Sequence, residues 1–398
     1  MDRSELEKSV FGGGFLSIYM DNAATTRPLA ELAELANEHI RDKWYNPSAM
    51  YGPAVDEERR LTRARQMVMA SVRAKNAVFT SCGTESANAV IFGGYKRRGS
   101  RPLHFVTSVY EHPCVYESFR TLEERGNDVD YISPGSDGRV SPASVAEKVR
   151  EDTALVSVMH VNNETGAVND ICAIAKAVKE KNPNTVFMSD GVQGYIKAPF
   201  DMAKSRVDFY TASAHKLHAP KGTGVIFYQD SAPHAYLIGG GQESGLRSGT
   251  ENTMGIEMFA YAADDFFKNR DEIMQGIADV RSALLTGLAD VRSGSKYVVM
   301  LSPEGASPHI LNLSFPGIRG EVLLHLLEQE GIYISTGSAC SSKKGRISRA
   351  HQAMKLDELV AEGSVRISFS RFNTTDEAQT AARAIKNALS KFRGLIRR

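Results

Sequence analysis

Short apolar runs alternate with helical patterns along the first two-thirds of the chain. Runs of this length, bounded by turn residues, predict buried strands. They cover residues 78–80, 103–106, 130–132, 154–159, 185–189, 207–211 and 225–228. Between some of them, as in residues 55–72 and 171–181, apolar side chains recur at helical spacing. This alternation predicts an α/β fold with a mostly parallel sheet of about seven strands, covered by helices on both faces.

The two ends of the chain have different patterns. Residues 1–18 predict a flexible lead-in, although residues 17–20 have strand character, and Pro28 starts a predicted helix with Leu29, Leu32, Leu35 and Ile40 at helical spacing. Near the other end, one long helical pattern over residues 254–288 precedes a strand-rich segment and a final helix over 376–395. We therefore predict a lead-in (1–18), a large α/β domain (19–265) and a smaller α+β domain (266–398).

Composition narrows the class of protein. The chain has 398 residues, 42% of them apolar and 24% charged, which is typical of a soluble globular protein. Its net charge of +1 argues against direct binding to nucleic acid or to an anionic membrane. No apolar run approaches the roughly 18 residues of a membrane helix. The charged opening residues lack the apolar centre of a signal peptide, so we expect a cytoplasmic protein. The spacing of the four cysteines predicts neither a metal site nor disulfides.

Polar residues that could take part in binding or catalysis follow several of the predicted strands. They are Ser81–Thr84, Asn162–Glu164, Asp190 and Lys216. In open α/β sheets, ligands bind outside the carboxyl ends of the strands. These residues are therefore expected to share one ligand site.

Lys216 lies in a segment rich in Gly, Ser and His that joins two predicted strands. A desolvated lysine has a lowered pKa and can act as a nucleophilic amine. From this window alone, a solvated lysine in a polar hairpin is an equally good interpretation.

Two further features suit a phosphorylated cofactor. Gly83, in Ser81–Thr84, allows close backbone approach at a predicted helix N-terminus, which favours phosphate, although Ser and Thr are also ordinary helix caps. Asp190 ends a buried strand, where a carboxylate suits a protonated ring nitrogen; satisfaction by backbone groups is the alternative. With Lys216, these residues supply the groups that pyridoxal 5′-phosphate needs.

The order of these motifs resembles the cysteine desulfurases, class V members of the fold-type I pyridoxal-phosphate enzymes. The resemblance covers nearly the whole chain after residue 18, and the number of motifs in order makes it specific. The motifs are residues 19–26, 46–48, 80–86, 111–113, 162–166, 190–193, 213–224, 239–252, 335–340 and 365–368.

The resemblance implies roles around the cofactor ring. Lys216 would bind pyridoxal phosphate covalently and Asp190 would pair with its ring nitrogen. His112 would stack on the ring and shuttle protons. Asn163 and Gln193 would hydrogen-bond the phenolic oxygen and neighbouring groups.

The resemblance also implies a phosphate site and a substrate site. The phosphate would be held by residues Gly83, Thr84, Ser213 and His215, with Thr250 reaching in from a second subunit of a homodimer. Arg366 would bind the carboxylate of L-cysteine, with help from Asn163 and Asn46. Taken without the resemblance, His112, Asn163 and Arg366 would be interpreted as structural residues.

Cys340 distinguishes the cysteine desulfurase reaction, which the resemblance implies, from the reactions of other class V enzymes. It lies in a small, polar segment with Lys343, Lys344 and Arg346 close by, which favours thiolate. The resemblance makes it the nucleophile that takes sulfur from cysteine as a persulfide. The three other cysteines, Cys82, Cys114 and Cys172, are interpreted as structural.

The overall prediction is a homodimeric cysteine desulfurase that forms L-alanine. The long stretch from Cys340 to Arg366 resembles the branch that passes sulfur directly to acceptor proteins, for iron–sulfur cluster assembly or for thiolation of tRNA or cofactors. The alternatives are a selenocysteine lyase, another class V aminotransferase, or a non-catalytic scaffold for sulfur-carrier proteins.

Overall fold

A seven-stranded sheet forms the centre of the protein in a computed structural model, which describes residues 17–95, 101–292, 298–336 and 348–392. In chain order, the strands are β1 Ile18–Tyr19, β2 Asn76–Thr80, β3 His104–Ser108, β4 Asp128–Ile132, β5 Thr153–Ser157, β6 Val186–Asp190, β7 Phe209–Ser213, β8 Gly224–Tyr228, β9 Val299–Met300, β10 Ile310–Ser314, β11 Ile332–Tyr333 and β12 Ser364–Ser368. The α-helices are α1 Leu32–Arg41, α2 Gly52–Val72, α3 Gly83–Gly93, α4 Pro113–Glu124, α5 Pro142–Lys148, α6 Ile171–Lys181, α7 Thr253–Lys268, α8 Arg270–Gly287, α9 Ala289–Arg292, α10 Gly320–Gln329, α11 Arg349–Ala353, α12 Glu358–Glu362 and α13 Thr375–Phe392.

The main sheet has the strand order β2-β8-β7-β6-β5-β3-β4. Its neighbouring strands are parallel, except that β8 runs antiparallel to β2 and β7. A parallel crossover needs about a dozen residues or more, and the connection of β7 to β8 spans only 214–223. The predicted mostly parallel α/β sheet is confirmed, and Lys216 lies in this short connection, in the 3₁₀ turn Ala214–Lys216.

The side chains of the central strands alternate between two apolar clusters. Phe105 and Leu155 pack in a cluster with helices α3 and α4, whereas their neighbours Val106 and Val156 belong to the cluster that contains residues of α2, α6 and α7. Because successive side chains of a strand point to opposite faces, the two clusters lie on the two faces of the sheet. Both faces are therefore buried, as the continuous apolar runs predicted.

A smaller antiparallel sheet, β12-β10-β9, lies in the C-terminal part. The N-terminal strand β1 pairs in parallel with β11, so Ile18 lies opposite Ile332. The first described residues are thereby joined to the C-terminal part rather than to the main sheet. The division into 1–18, 19–265 and 266–398 remains a prediction.

The long helical pattern over 254–288 forms two helices, so the prediction of a single helix is wrong. Asn269 separates α7 from α8, and its side-chain amide donates to the backbone oxygen of Asp265 at 3.0 Å. Such local side-chain bonds compete with the helix, while the apolar periodicity continues across the break. Within the described ranges, no helix combines the length and apolar character that crossing a membrane requires.

The predicted first helix is also corrected. It begins at Leu32 rather than at Pro28, and Ile40 is 73% exposed although its spacing placed it on the buried face. Leu29 and Leu32 are buried as predicted. His39, in the same turn, is buried, so this turn packs through a face that does not include Ile40.

Candidate active site

Most of the residues predicted after the strands β2, β5, β6 and β7 line one cavity of about 300 Å³, together with the residues that begin α4. Ser81, Asn162 and Glu164 are not among the lining residues. The lining residues are Ala23, Ala24, Cys82, Gly83, Thr84, His112, Pro113, Cys114, Met159, Val161, Asn163, Asp190, Val192, Gln193, Ser213, His215, Lys216 and Arg366. The cavity thus lies where the carboxyl ends of parallel strands place ligands.

Lys216 is half-buried and directed towards the segment that follows β1. Its Nζ donates to the backbone oxygens of Ala23 at 2.7 Å and Ala24 at 2.6 Å. Burial, reinforced by the positive charge of Arg366, lowers the pKa of Lys216 to about 8. The amine is therefore available as a nucleophile near neutral pH, and the solvated-hairpin interpretation is wrong.

Asp190 is buried at the end of β6, as the pattern predicted. Its Oδ1 accepts the N–H of Val192 at 2.9 Å, and no group in the described ranges hydrogen-bonds Oδ2. Burial raises the pKa of Asp190, while the nearby His112 and Lys216 act in the opposite direction. A protonated ring nitrogen beside Oδ2 would stabilise the carboxylate form by the same electrostatic effect.

Gly83 and Thr84, two of the residues predicted to bind phosphate, lie at the start of α3. Cys82 caps this helix, since its Sγ accepts the N–H of Glu85 at 3.5 Å, and the N–H groups of Gly83 and Thr84 have no intrahelical partner. A Cβ added at Gly83 would lie 2.9 Å from Cγ2 of Val192. Glycine at this position therefore leaves room for a ligand to come close to the backbone, and the helix N-terminus favours an anion there.

Ser213 and His215 also line the cavity, at the end of β7 and just after it, and a Cβ added at Gly83 would lie 3.6 Å from Cβ of Ser213. Nδ1 of His215 lies 3.1 Å from Oγ1 of Thr25. Burial, with Lys216 and Lys221 adding to it, lowers the pKa of His215 to about 3. His215 therefore presents a neutral imidazole, and the positive potential of this site comes from the helix and the lysine.

Gln193 supplies an unsatisfied polar atom to the cavity. Its Nε2 donates to the backbone oxygen of Ala23 at 2.8 Å, whereas its Oε1 is buried without a partner in the described part of the chain. Buried polar atoms are normally hydrogen-bonded, so this atom fits a polar group of a ligand. The cavity thus offers a partner for each polar group of pyridoxal phosphate. Lys216 suits its aldehyde, Asp190 its ring nitrogen and the N-terminus of α3 its phosphate, and Oε1 of Gln193 is left for a further polar group.

Arg366 lies on β12 and is buried against the same cavity. Its Nη1 donates to the backbone oxygen of Asn163 at 2.9 Å and its Nη2 to Oδ1 of Asp21 at 2.8 Å, while Nε has no partner among the described residues. Arg366 thus has a local carboxylate partner and also faces the cavity. Sequence reasoning gave Asp21 no role, although its position directly after a strand was the available signal.

The three cysteines interpreted as structural do not share one environment. Cys82 and Cys114 line the cavity, and Cys172 is exposed. Lining the cavity is compatible with a structural role, so the structural interpretation of the three cysteines remains a prediction.

His112 caps helix α4 and lies beside one of these thiols. Its Nδ1 is 3.0 Å from Sγ of Cys114 and accepts the backbone N–H of Cys114 at 3.2 Å. His112, Cys114 and Asp190 each offer a ligand atom, and these atoms lie within 4.8 Å of one another. This grouping is capable of holding a metal ion, so the absence of a metal site remains a prediction.

Two further predicted residues, Asn46 and Thr250, do not line the cavity of the described chain. Asn46 is exposed and its Oδ1 accepts the N–H of Ser48 at 2.9 Å. Thr250 is exposed in a separate depression that also includes Glu243 and Arg247. Cys340 lies outside the described residues, as does the rest of the segment 337–347.

Comparison with known proteins gives the same class as this geometry. Residues 18–380 match the aminotransferase class-V family. The chain is therefore a member of that family, whose cofactor is pyridoxal 5′-phosphate.

The relatives also define the branch within the family. A NifS/IcsS protein homolog of Lactobacillus delbrueckii is 37% identical, over 91% of this chain and 94% of the relative. The cysteine desulfurase IscS of Azotobacter vinelandii is 34% identical, over 96% of this chain and 94% of the relative. Within the family, the chain thus groups with the cysteine desulfurases.

Solved structures agree with this grouping. A NifS-like protein superimposes with a TM-score of 0.87 at 34% identity, covering 94% of this chain and all of the other. The protein SspA, solved in complex with cysteine, gives a TM-score of 0.79 at 28% identity, with 90% and 100% covered. The fold-type I architecture with a smaller C-terminal part is confirmed.

Proposed function

We propose that the protein converts L-cysteine to L-alanine and transfers the sulfur through Cys340 to an acceptor protein. The observation that carries this proposal is the convergence of Lys216, Asp190, His112 and Arg366 on one cavity in a chain of the cysteine desulfurase group. The location that we propose is the cytoplasm, and neither nucleic acid nor a membrane is a proposed partner.

The residues divide the chemistry among them. When bound, pyridoxal phosphate supplies an electron sink for the amino acid substrate. Lys216 holds the cofactor and moves protons with its amine, Asp190 keeps the ring nitrogen charged, and Arg366 orients the substrate carboxylate. His112 is the proton-transfer group beside the ring.

Sulfur transfer is assigned to Cys340. Its thiolate attacks the substrate sulfur, forming an S–S bond as the substrate C–S bond breaks. The electron pair of the broken bond stays on the carbon skeleton, which takes up a proton and leaves as alanine. The persulfide then holds sulfur at an oxidation level that an acceptor thiol can receive.

The reaction is tested by following both products. With isotopically labelled L-cysteine, we expect one alanine for each sulfur delivered to a thiol acceptor. Transfer of the amino group to a 2-oxo acid, or activity confined to L-selenocysteine, would instead support an aminotransferase or a selenocysteine lyase. No absorbance from bound cofactor in the purified protein would support the scaffold alternative.

Replacement of Arg366 tests the substrate site. Arg366→Ala is expected to raise KM for cysteine by about 10- to 100-fold, because a hydrogen bond to a charged group contributes roughly 1.5–3 kcal/mol. The absorbance of the bound cofactor should change little. Arg371→Ala, which removes an arginine paired with Asp265 away from the cavity, is the matched control. An unchanged KM for Arg366→Ala contradicts the carboxylate role.

Exposed apolar side chains support the proposed homodimer. Ile238 is 89% and Met50 98% exposed, and Trp44 is 67% exposed. Ile238 lies beside the segment of Thr250, because Leu237 pairs with Arg247 in a β-bridge. Apolar groups exposed next to a predicted trans-acting residue suit a surface that a second copy covers.

Mixing two chains with different defects tests whether Thr250 acts in the partner's site. In a dimer of a Lys216→Ala chain with a Thr250→Val chain, one site combines an intact Lys216 with an intact Thr250 only if Thr250 acts in trans. We expect such mixed dimers to recover about half of the wild-type activity at limiting cofactor, where Thr250→Val alone binds cofactor about tenfold more weakly. No recovery would show that Thr250 serves its own chain.

The sulfur acceptor is proposed as a protein, from iron–sulfur cluster assembly or from thiolation of tRNA or cofactors. The resemblance of the Cys340–Arg366 stretch to the long-segment branch supports direct delivery. Loading the enzyme with labelled cysteine and identifying the cellular proteins that receive the label distinguishes these acceptors. Release of all label as free sulfide would contradict a protein acceptor.

A further inference from the structure

Cys114 and His112 form a local unit at the start of helix α4. His112 is the residue that caps the helix, and Pro113 between the two has no N–H to offer. The backbone N–H of Cys114 therefore donates the capping hydrogen bond to Nδ1 of His112, at 3.2 Å. The thiol of Cys114 lies 3.0 Å from the same nitrogen. The backbone N–H and the thiol of Cys114 thus both contact Nδ1 of His112.

This arrangement determines which nitrogen of the neutral ring carries the proton. A nitrogen that accepts a hydrogen bond from a backbone N–H must present a lone pair, so Nδ1 is unprotonated. The proton then belongs to Nε2, for which no hydrogen-bond partner exists among the residues that the structure describes. Burial, with the carboxylates of Asp190 and Glu111 adding to it, raises the pKa of Cys114. The thiol keeps its proton and can donate towards Nδ1.

We propose that Cys114 is a positioning residue that holds the neutral ring of His112 in the tautomer protonated at Nε2, so that this imidazole presents a hydrogen-bond donor at that atom. The inference rests on the proton-transfer role proposed for His112, but the tautomer itself is independent of turnover. To act as a base through Nδ1, the ring would have to displace a backbone donor fixed by the helix and a thiol. Hydrogen-bond donation from Nε2 needs no such rearrangement.

The groups around His112 keep the ring neutral. Asp190 and Glu164 favour the charged imidazolium, whereas Lys216 and Arg349 oppose it, and burial opposes it most strongly. The net effect lowers the pKa of His112 below its usual value. Two donors aimed at Nδ1 act in the same direction, since hydrogen bonds to the neutral form disfavour protonation.

The direct test is ¹⁵N NMR of the histidine side chains in the holoenzyme, with the His112 signals assigned by their loss in His112→Gln. We expect an unprotonated-type shift at Nδ1 and a protonated-type shift at Nε2. A proton on Nδ1 at neutral pH overturns the proposal. Full activity of His112→Gln would refute the role of His112 without changing this spectrum, so the two failures are distinguishable.

Substitution of Cys114 separates the thiol from simple packing. Cys114→Val keeps similar volume but cannot donate, so we expect the titration midpoint of His112 and the acid limb of kcat/KM to move up by about half a pH unit. Cys114→Ser restores a donor and should restore both midpoints, and Cys114→Ala provides a second donor-free variant if Val does not fold. Cys172→Val, at an exposed thiol, should leave both unchanged. Equal midpoints in wild type, Cys114→Val and Cys114→Ala would overturn the proposal.

Discussion

Cys340→Ser is expected to lower alanine formation from L-cysteine by at least about 100-fold while the cofactor absorbance is retained. The hydroxyl of serine is a far weaker nucleophile than a thiolate, and it cannot hold sulfur as a persulfide. The residues predicted to bind the cofactor are unchanged in this variant, so cofactor binding should persist. Mass spectrometry after a single turnover should locate the extra sulfur on Cys340 in the wild-type protein.

The other cysteines provide the controls for this experiment. Cys172→Ser should behave as wild type, because that thiol is exposed and does not line the cavity. Cys114 does line the cavity, but burial raises its pKa, so its thiol is a poor substitute for the nucleophile. Undiminished alanine formation by Cys340→Ser would refute the nucleophile role, and persulfide found on Cys114 instead would reassign it.

Lys216→Ala is expected to abolish covalent attachment of the cofactor and to reduce activity by at least about 1000-fold. No other lysine lines the cavity among the described residues, so nothing replaces the amine. Borohydride should fix the cofactor to the wild-type protein and not to the variant. Lys221→Ala, which removes an exposed lysine of the same connection, should keep both attachment and activity.

The pKa of Lys216 gives this prediction a pH dependence. Only the neutral amine reacts, and its pKa of about 8 means that the charged form dominates below that value. Attachment of cofactor to the cofactor-free protein should therefore accelerate about tenfold per pH unit as the pH rises towards 8, and then level off. A rate that is already constant between pH 6 and 8 would show that the amine is neutral at lower pH.

The main sheet was predictable because each of its strands is marked by a run of apolar residues that are neighbours in the sequence. Seven short apolar runs with helical segments between them leave few ways to bury both faces. The same reasoning failed at Asn269 and Ile40, where the apolar period continues although the helix breaks or turns the side chain towards solvent. Periodicity reports which side chains are apolar, and packing decides which of them are covered.

The positions of the reactive residues could also be inferred from the sequence. Asp190 and Lys216 each follow a predicted strand, and the carboxyl ends of parallel strands meet at one edge of the sheet. The role of Arg366 needed the family resemblance, because nothing in its local pattern distinguishes a substrate ligand from the partner of Asp21. The contact of Cys114 with His112 needed the structure, since helix capping geometry brings the two groups together.

The sequence by itself determined the α/β class, the cofactor and the residues expected to bind it, because strand ends and motif order are properties of the chain. Only the tertiary structure decided the protonation and pairing of those residues. The pKa of Lys216 depends on burial and on Arg366, which lies far along the chain, and the ion pair of Arg366 with Asp21 joins opposite ends of the sequence. Desolvation and long-range charge arise only after folding, so no local pattern carries them.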